Sequence, residues 1–380
     1  MKVVFRTDAS LHIGTGHVMR CLTLADALAA RGAHCQFICR AHEGNLIDYI
    51  RQRGFQAHAL PLLPANSCAA DPAPTRPANT EPAHSHWLGA TQAQDAQACA
   101  PILATQQPDW LIVDHYALDA RWEQALAPHC GQLMVIDDLA DRPHHACDLL
   151  LDQTFGRDPA DYRPLVPAQC QLLCGSSYAL LRPEFAALRP YSLQRRTQPQ
   201  LRNLLITMGG VDKDNITSKI LIALRASPLS PECQITVVMG ATAPWLAKVQ
   251  QVAQDMPWPT QVLVGVSNMA QLMADSDLAI GAAGATSWER CCLGLPTIML
   301  VLADNQRKIA KVLSETGVAH FLDSSKLNDQ LLITTECSQP LWLGAMSTAA
   351  AAVTEGQGAA RVVEALIYKN QYANQFAVQR

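Results

Sequence analysis

Short apolar runs alternate with amphipathic stretches from one end of the chain to the other. In the first half the runs are Val3–Arg6, Gln36–Cys39, Trp110–Asp114, Leu133–Asp137, Leu149–Leu151 and Gln171–Cys174. Such short runs predict strands buried on both faces. Val18–Arg31 and Asn45–Arg53 lie between them with helical spacing, as does the segment around Asp95–Leu103. Val18, Leu22, Ala25, Leu28 and Ala29 fall on one helical face, and Gly32 is placed to close that helix. The alternation restarts at Asn203–Gly210 and continues through Gln234–Met239, Gln261–Val264, Leu278–Ile280 and Thr297–Val301, with a last helix at Ala359–Lys369. Strand–helix alternation of this kind predicts α/β architecture: open parallel sheets with helices on both faces.

Two segments break the rhythm. From about Leu63 to His84 the chain is rich in Ala, Pro, Asn, Ser and Thr, with five prolines between Pro64 and Pro82. So little apolar material predicts an exposed insertion. The segment Arg182–Arg202 contains Pro183, Pro190, Pro199 and Arg195-Arg196, and marks a domain boundary. The expected division is a first domain of residues 1–190, a second of 191–369 and a frayed tail of 370–380. Each half opens with a strand running into a glycine-containing turn, so a cleft is expected at the carboxyl ends of both sheets.

Composition narrows the function. The 380 residues are 49% hydrophobic and 16% charged, enough for two cores. A net charge of −4 without a basic stripe argues against nucleic acid. No signal-like start or long apolar span is present, so no membrane partner is expected. Thirteen cysteines lack a CxxC pair or framework spacing and read as buried thiols, Cys35, Cys39, Cys170 and Cys174 included, in a reduced cytoplasmic enzyme.

The most informative segment is Arg6-Thr7-Asp8 through Gly14-Thr15-Gly16-His17-Val18-Met19-Arg20. Gly14 and Gly16 let backbone approach a ligand, and the helix start offers N–H groups to phosphate. His17 stands at that point as an ionisable group. The dinucleotide fingerprint fails, because Met19 occupies the third required position and no acidic residue ends the second strand at Cys39-Arg40. Gly209-Gly210 is not a phosphate loop of the Gly-Lys-Ser/Thr type, but both glycines are expected to bind substrate at their strand–helix turn. Asn215 after it either caps the next helix or reaches a nucleotide. In the second half, Gly281-Ala282-Ala283-Gly284-Ala285-Thr286-Ser287-Trp288-Glu289 again leads from a strand into a helix. Glu289, one turn in, is placed to accept ribose hydroxyls. His144, His145, Cys147 and Asp148 suggest a metal cluster, but adjacent histidines on extended chain point to opposite sides, and no metal is expected.

The string from Gly281 to Gln306 resembles the nucleotide-binding half of GT-B glycosyltransferases, including the transferase that makes the peptidoglycan lipid intermediate. That resemblance implies two Rossmann-like domains facing an interdomain cleft. It places the uridine ribose on Glu289, the diphosphate on Gly284, Ala285 and Thr286, and Asn305 and Gln306 near the donor. The first half is similar to the hydrolases of pseudaminic acid biosynthesis. The similarity rests on the His17 segment, Trp87-Leu88-Gly89, Val113-Asp114-His115-Tyr116, Ile136-Asp137-Asp138 and Gly175–Phe185. Members of that family cleave UDP-2,4-diacetamido-2,4,6-trideoxy-β-L-altropyranose with water, releasing UDP and the free sugar.

The resemblance implies that His17 is a general base, activating water for inverting attack at the anomeric carbon. The positive helix end favours its neutral form. Backbone N–H groups at Gly14–Gly16 and Gly284–Thr286 would stabilise the leaving diphosphate. Asp114, His115 and Tyr116 are expected to contact sugar or support His17, and Asp8 is another candidate to orient or satisfy it. The expected ligands are the UDP-sugar and water, with no cofactor and a monomeric chain. A UDP-sugar-dependent glycosyltransferase is the alternative, and a non-catalytic UDP-sugar binder a third possibility.

Overall fold

The computed structural model describes residues 1–63, 81–144, 146–302, 306–323, 327 and 333–377. The chain forms two compact units, Met1–Leu180 with Gly358–Arg380, and Leu181–Gln357. Most of the expected insertion, and Asn305 and His145, lie outside the described residues.

The first unit runs β1 (Lys2–Thr7), α1 (Gly16–Ala29), β2 (His34–Arg40), α2 (Ile47–Gln52), β3 (Gln56–Leu60), α3 (Gln92–Gln106), β4 (Trp110–Asp114), α4 (Ala120–Leu126), β5 (Gln132–Ile136), β6 (Leu149–Asp152) and β7 (Gln171–Cys174). Its sheet is parallel, in the order β3-β2-β1-β4-β5-β6-β7. Alternate side chains go to opposite faces. Val3, Phe5, Phe37, Ile112 and Ile136 join α1 and α2 in one core, while Val4, Ile38, Leu111, Val113 and Val135 join α3 and α4 in the other. Phe5 stacks on Phe37 at 4.9 Å between ring centroids. The buried face of α1 includes Cys21 and Leu24 beside Val18, Leu22, Ala25 and Leu28, but Ala29 is exposed.

The second unit runs α5 (Pro183–Arg195), β8 (Asn203–Thr207), α6 (Ile216–Leu224), β9 (Gln234–Met239), α7 (Leu246–Gln254), β10 (Thr260–Val264), α8 (Met269–Asp275), β11 (Leu278–Ala282), α9 (Thr286–Cys292), β12 (Thr297–Val301), α10 (Arg307–Glu315), β13 (His320–Asp323) and α11 (Pro340–Ala351). Its parallel sheet has the order β10-β9-β8-β11-β12-β13. In both units the chain leaves the central strand in one direction, then returns to build outward in the other. The carboxyl ends of β1 and β4, and of β8 and β11, therefore flank the point where such sheets hold ligands.

The sequence pattern missed β3 and β13. Each is an edge strand, and neither Gln-Ala-His-Ala-Leu nor His-Phe-Leu-Asp offers a continuous apolar run. The division of the chain also differs from expectation. The final helix, α12 (Gly358–Ala377), joins the first unit and continues to Ala377, within the segment expected to fray. Val362, Val363 and Leu366 complete the core against α1, and Arg361 Nη1 donates to the Ser177 carbonyl at 2.7 Å. A side chain at Gly358 would meet the Ala179 carbonyl oxygen at 2.2 Å, so the chain can re-enter there only without one. Among the described residues no helix is long and apolar enough to cross a membrane, and the described cysteines are free thiols.

The re-entry of α12 yields a prediction. Leu366, fully buried, replaced by Ala should cost about 2–5 kcal/mol. In denaturant the loss should fall on the unfolding transition of the first unit, and an unchanged midpoint there would contradict the packing.

Candidate active site

The turn after β1 is built from its own side chains. Ser10 Oγ accepts from the N–H groups of His12 and Ile13, and the Ser10 carbonyl accepts from Gly14 N–H at 2.9 Å. Gly14 closes this turn with φ +80, a left-handed conformation that suits glycine. Its N–H is thereby used, so it is not the diphosphate donor expected from the sequence. The N–H groups of the first turn of α1, from Gly16 onward, lack intrahelical acceptors by geometry.

His17 and Arg20 are three apart on α1 and share a face. Both reach Asp114 at the end of β4. His17 Nδ1 lies 2.5 Å from Asp114 Oδ1, while Arg20 donates to both carboxylate oxygens, from Nη2 at 2.7 Å and Nε at 2.6 Å. Burial alone would raise the Asp114 carboxyl, but Arg20 and then His17 outweigh it and hold it well below the usual range. An ionised carboxylate only accepts, so Nδ1 is the nitrogen that presents a proton to it, and in the neutral tautomer fixed this way Nε2 holds the lone pair. That is the form a general base needs.

The Tyr116 and His17 rings meet nearly perpendicular, 4.5 Å between centroids, and Tyr116 donates its hydroxyl to Asp138 Oδ2 at 2.9 Å. Trp87 stacks on Tyr116 at 5.9 Å, and His84 lies 4.3 Å from Trp87. His17, half-walled by these rings, remains 8% exposed.

Two expected residues turn elsewhere. Asp8 does not touch His17. It is fully buried, accepts from Arg6 Nη1 and from Arg40 N–H at 2.6 Å each, and faces His115 Nε2 at 3.2 Å without hydrogen-bond alignment. His115 Nδ1 accepts from Ala117 N–H, which leaves Nε2 to carry the proton toward Asp8. Arg6 and Arg40 both bind Asp95 as well, and Trp122 Nε1 donates to it. Of the three residues at and just beyond the end of β4, Asp114 and Tyr116 serve His17, while His115 serves this buried network. His144 is held by Glu123 at 2.6 Å and lies 3.7 Å from Asp137. Burial opposes its charge, but those carboxylates raise it to about 9, making it a buried cation.

The second unit repeats the layout. Gly209 takes φ +88 after β8, and Gly240 passes so close that a side chain there would meet the Gly210 carbonyl oxygen at 2.1 Å. Asn215 does not cap α6; Asp212 does, accepting from Ile216 and Thr217 N–H at 2.8 and 2.9 Å. Asn215 Oδ1 has no hydrogen-bond partner among the described residues.

After β11 the small-residue turn is stapled by a residue the sequence reading passed over. Arg290, buried, donates to Thr286 Oγ1 at 3.1 Å, to the Ala282 carbonyl at 2.9 Å and to Ser287 Oγ at 3.1 Å. Gly281 is small because a Cβ would lie 2.5 Å from Arg290 Nη1. Gly284 and Ala285 stand exposed above this staple. Glu289 keeps 18% side-chain exposure, with Arg182 at 3.9 Å. Burial pushes its carboxyl up to about 7, with Arg182 and Arg290 opposing. Gln306 turns inward, its Oε1 accepting from Leu302 N–H at 3.0 Å, so that oxygen is already engaged.

Arg20, Asp138 and Trp87 were part of recognisable motifs but had no role assigned to them. Helical spacing from His17 points to Arg20, and a position just beyond a central strand points to Asp138.

Residues 203–359 match the glycosyltransferase family 28 C-terminal domain. The crystal structure of MurG from Acinetobacter baumannii superposes with a TM-score of 0.67, at 16% identity, over 97% of this chain and 99% of that one. The fold is GT-B. UDP-GlcNAc 2-epimerase from Neisseria meningitidis, solved bound to UDP-GlcNAc, shares the fold with a TM-score of 0.57 at 14% identity over 97% of this chain and all of that one. In sequence, the chain is 27% identical over 317 residues to UDP-2,4-diacetamido-2,4,6-trideoxy-beta-L-altropyranose hydrolase of Campylobacter jejuni, covering 83% of this chain and 97% of that protein.

The staple is testable by substitution. Gly281→Ala should force Arg290 off Thr286 and Ser287 and destabilise the second unit by about 1–3 kcal/mol. Urea unfolding measures this, and an unshifted midpoint would remove Arg290 from that role.

Proposed function

We propose that this chain hydrolyses UDP-2,4-diacetamido-2,4,6-trideoxy-β-L-altropyranose to UDP and the free sugar, in the cytoplasm, as a step of pseudaminic acid biosynthesis. The observation that carries the reading is the His17–Asp114 pair: Nδ1 is tied to a carboxylate, and Nε2 is left as a base beside an aromatic wall. His17 Nε2 takes a proton from water as the oxygen attacks the anomeric carbon. The C1–O bond breaks with inversion, and its electron pair leaves on the UDP oxygen. The aromatic faces of Trp87 and Tyr116 suit the apolar face and methyl groups of a deoxy, acetamido sugar. The likeness to the Campylobacter hydrolase, spanning 97% of that protein, supports the substrate and the choice of water.

In the second unit, Glu289 would accept two ribose hydroxyls, with the Gly284–Thr286 and Gly209–Gly210 turns near the diphosphate. Two donated hydrogens require the ionised carboxylate. Affinity for a nucleotide sugar, whose diphosphate diester does not titrate near neutrality, should therefore rise with pH through about 7. Calorimetry across that range should show the rise, and Glu289→Gln should flatten it and weaken binding about tenfold or more. A pH-independent affinity in the unchanged chain would argue against Glu289 as the ribose acceptor.

A UDP-sugar-dependent glycosyltransferase is the second reading, favoured by the family 28 match over residues 203–359. Incubation with the UDP-sugar in ¹⁸O-water separates the two. Hydrolysis by the proposed route puts label in the free sugar and none in UDP. Label in UDP would overturn attack at carbon, and no UDP release without an acceptor would favour the transferase. His17→Ala should slow hydrolysis about 10²–10⁴-fold; full activity in that variant would eliminate His17 as the base.

A further inference from the structure

Five side chains close a ring around the base. His17 bonds Asp114, Asp114 bonds the Arg20 fork, Arg20 Nη1 reaches Asp138, Asp138 accepts from the Tyr116 hydroxyl, and the Tyr116 ring returns to His17. The members come from three places, α1, the end of β4 and the segment after β5, so the ring is a product of the fold. Arg20 is its only cation and is itself buried. It lies between the two carboxylates, with Nε and Nη2 on one and Nη1 on the other.

A buried carboxylate beside an imidazole does two things at once. It orients the ring through Nδ1–H, and its charge favours the imidazolium, which cannot act as a base. Orientation depends on a short directional bond, whereas charging depends on the summed field. A cation bonded to the same carboxylate cancels much of that field and leaves the bond in place. Here Arg20 also offsets Asp138. Among the described residues His84 and His115 also interact electrostatically with His17, and burial pushes both toward the neutral form, while Arg142 lies over the Tyr116 ring at 5.6 Å.

We infer that Arg20 is a positioning residue that separates these two effects: it clamps Asp114 as the orienting acceptor for His17 while cancelling the charge that would otherwise protonate the base. The inference extends the reading of His17 as a base, yet its deciding measurement, a titration, needs no substrate. The full-length, ligand-free protein is labelled with ¹³C-histidine, and the His17 ring signal is assigned by its loss in His17→Gln. Its titration is then followed by NMR in four chains. In Arg20→Met the midpoint should move to higher pH by about one unit or more, since two carboxylates are then uncompensated. Arg20→Lys keeps the charge and loses the fork. Its midpoint should stay near that of the unchanged chain while kcat falls, with KM little altered. Asp138→Asn removes an anion and should move the midpoint the other way, to lower pH. An unmoved or lowered midpoint in Arg20→Met overturns the inference. Should that variant not fold, an unmoved or raised midpoint in Asp138→Asn does so. Absence of hydrolysis with a normal set of titration shifts would instead count against the proposed reaction alone.

Discussion

Each sheet is organised by its first strand being paired on both sides. β1 lies between β2 and β4, and β8 lies between β9 and β11. Crossovers that leave such a strand in opposite directions part at its carboxyl end, where backbone N–H groups and side chains stay uncovered. Everything of chemical interest in this chain follows from that constraint. His17, Asp114 and Asp138 sit beyond or near the carboxyl ends of β1, β4 and β5, and the glycine turns follow β8 and β11.

The central strand of the first unit carries an additional load. Arg6, Asp8, Arg40 and Asp95 are buried together beneath the turn that leads to His17. Four buried charges are poor evidence of extra stability, because desolvation offsets much of their attraction. Their geometry is nevertheless hard to give up: leaving one partner unpaired typically costs about 3–5 kcal/mol. The network ties β1 to β2 and to α3, so the floor under the turn resists shifts that would misplace α1. In the second unit a single residue does comparable work, Arg290 bonding both sides of the turn before α9.

The central strands and helices α1, α3 and α12 were legible in the sequence because they bury both faces or a stripe, whereas α5, with Pro183 and Pro190, had the look of a domain boundary. Edge strands β3 and β13 were not, since one side of an edge strand needs no neighbour and tolerates Gln56, His58 and Asp323. In the site, His17 was legible as an ionisable group at a strand–helix turn, and Asp114 as a carboxylate ending a central strand. What each carboxylate binds was not. Asp8 and Asp114 both follow or end central strands, yet one faces Arg6 and His115 while the other faces His17 and Arg20. Likewise Asn215 and Asp212 both precede α6, and only Asp212 reaches the free N–H groups.

By itself the sequence determined the α/β class, the strand–turn–helix units and the residue types at their junctions, because periodicity and glycine placement act over a few neighbours. Tertiary structure decided the partners. Pairing of β1 with β4 brings Asp114, 97 positions distant, to His17, and pairing through β5 brings Asp138, 118 positions from Arg20, to the same ring. It also decided that α12 belongs with α1, since burial of Val362 and Leu366 depends on a surface nearly the whole chain away. Such contacts are set by the summed burial and charge pairing of distant segments, which no local spacing encodes.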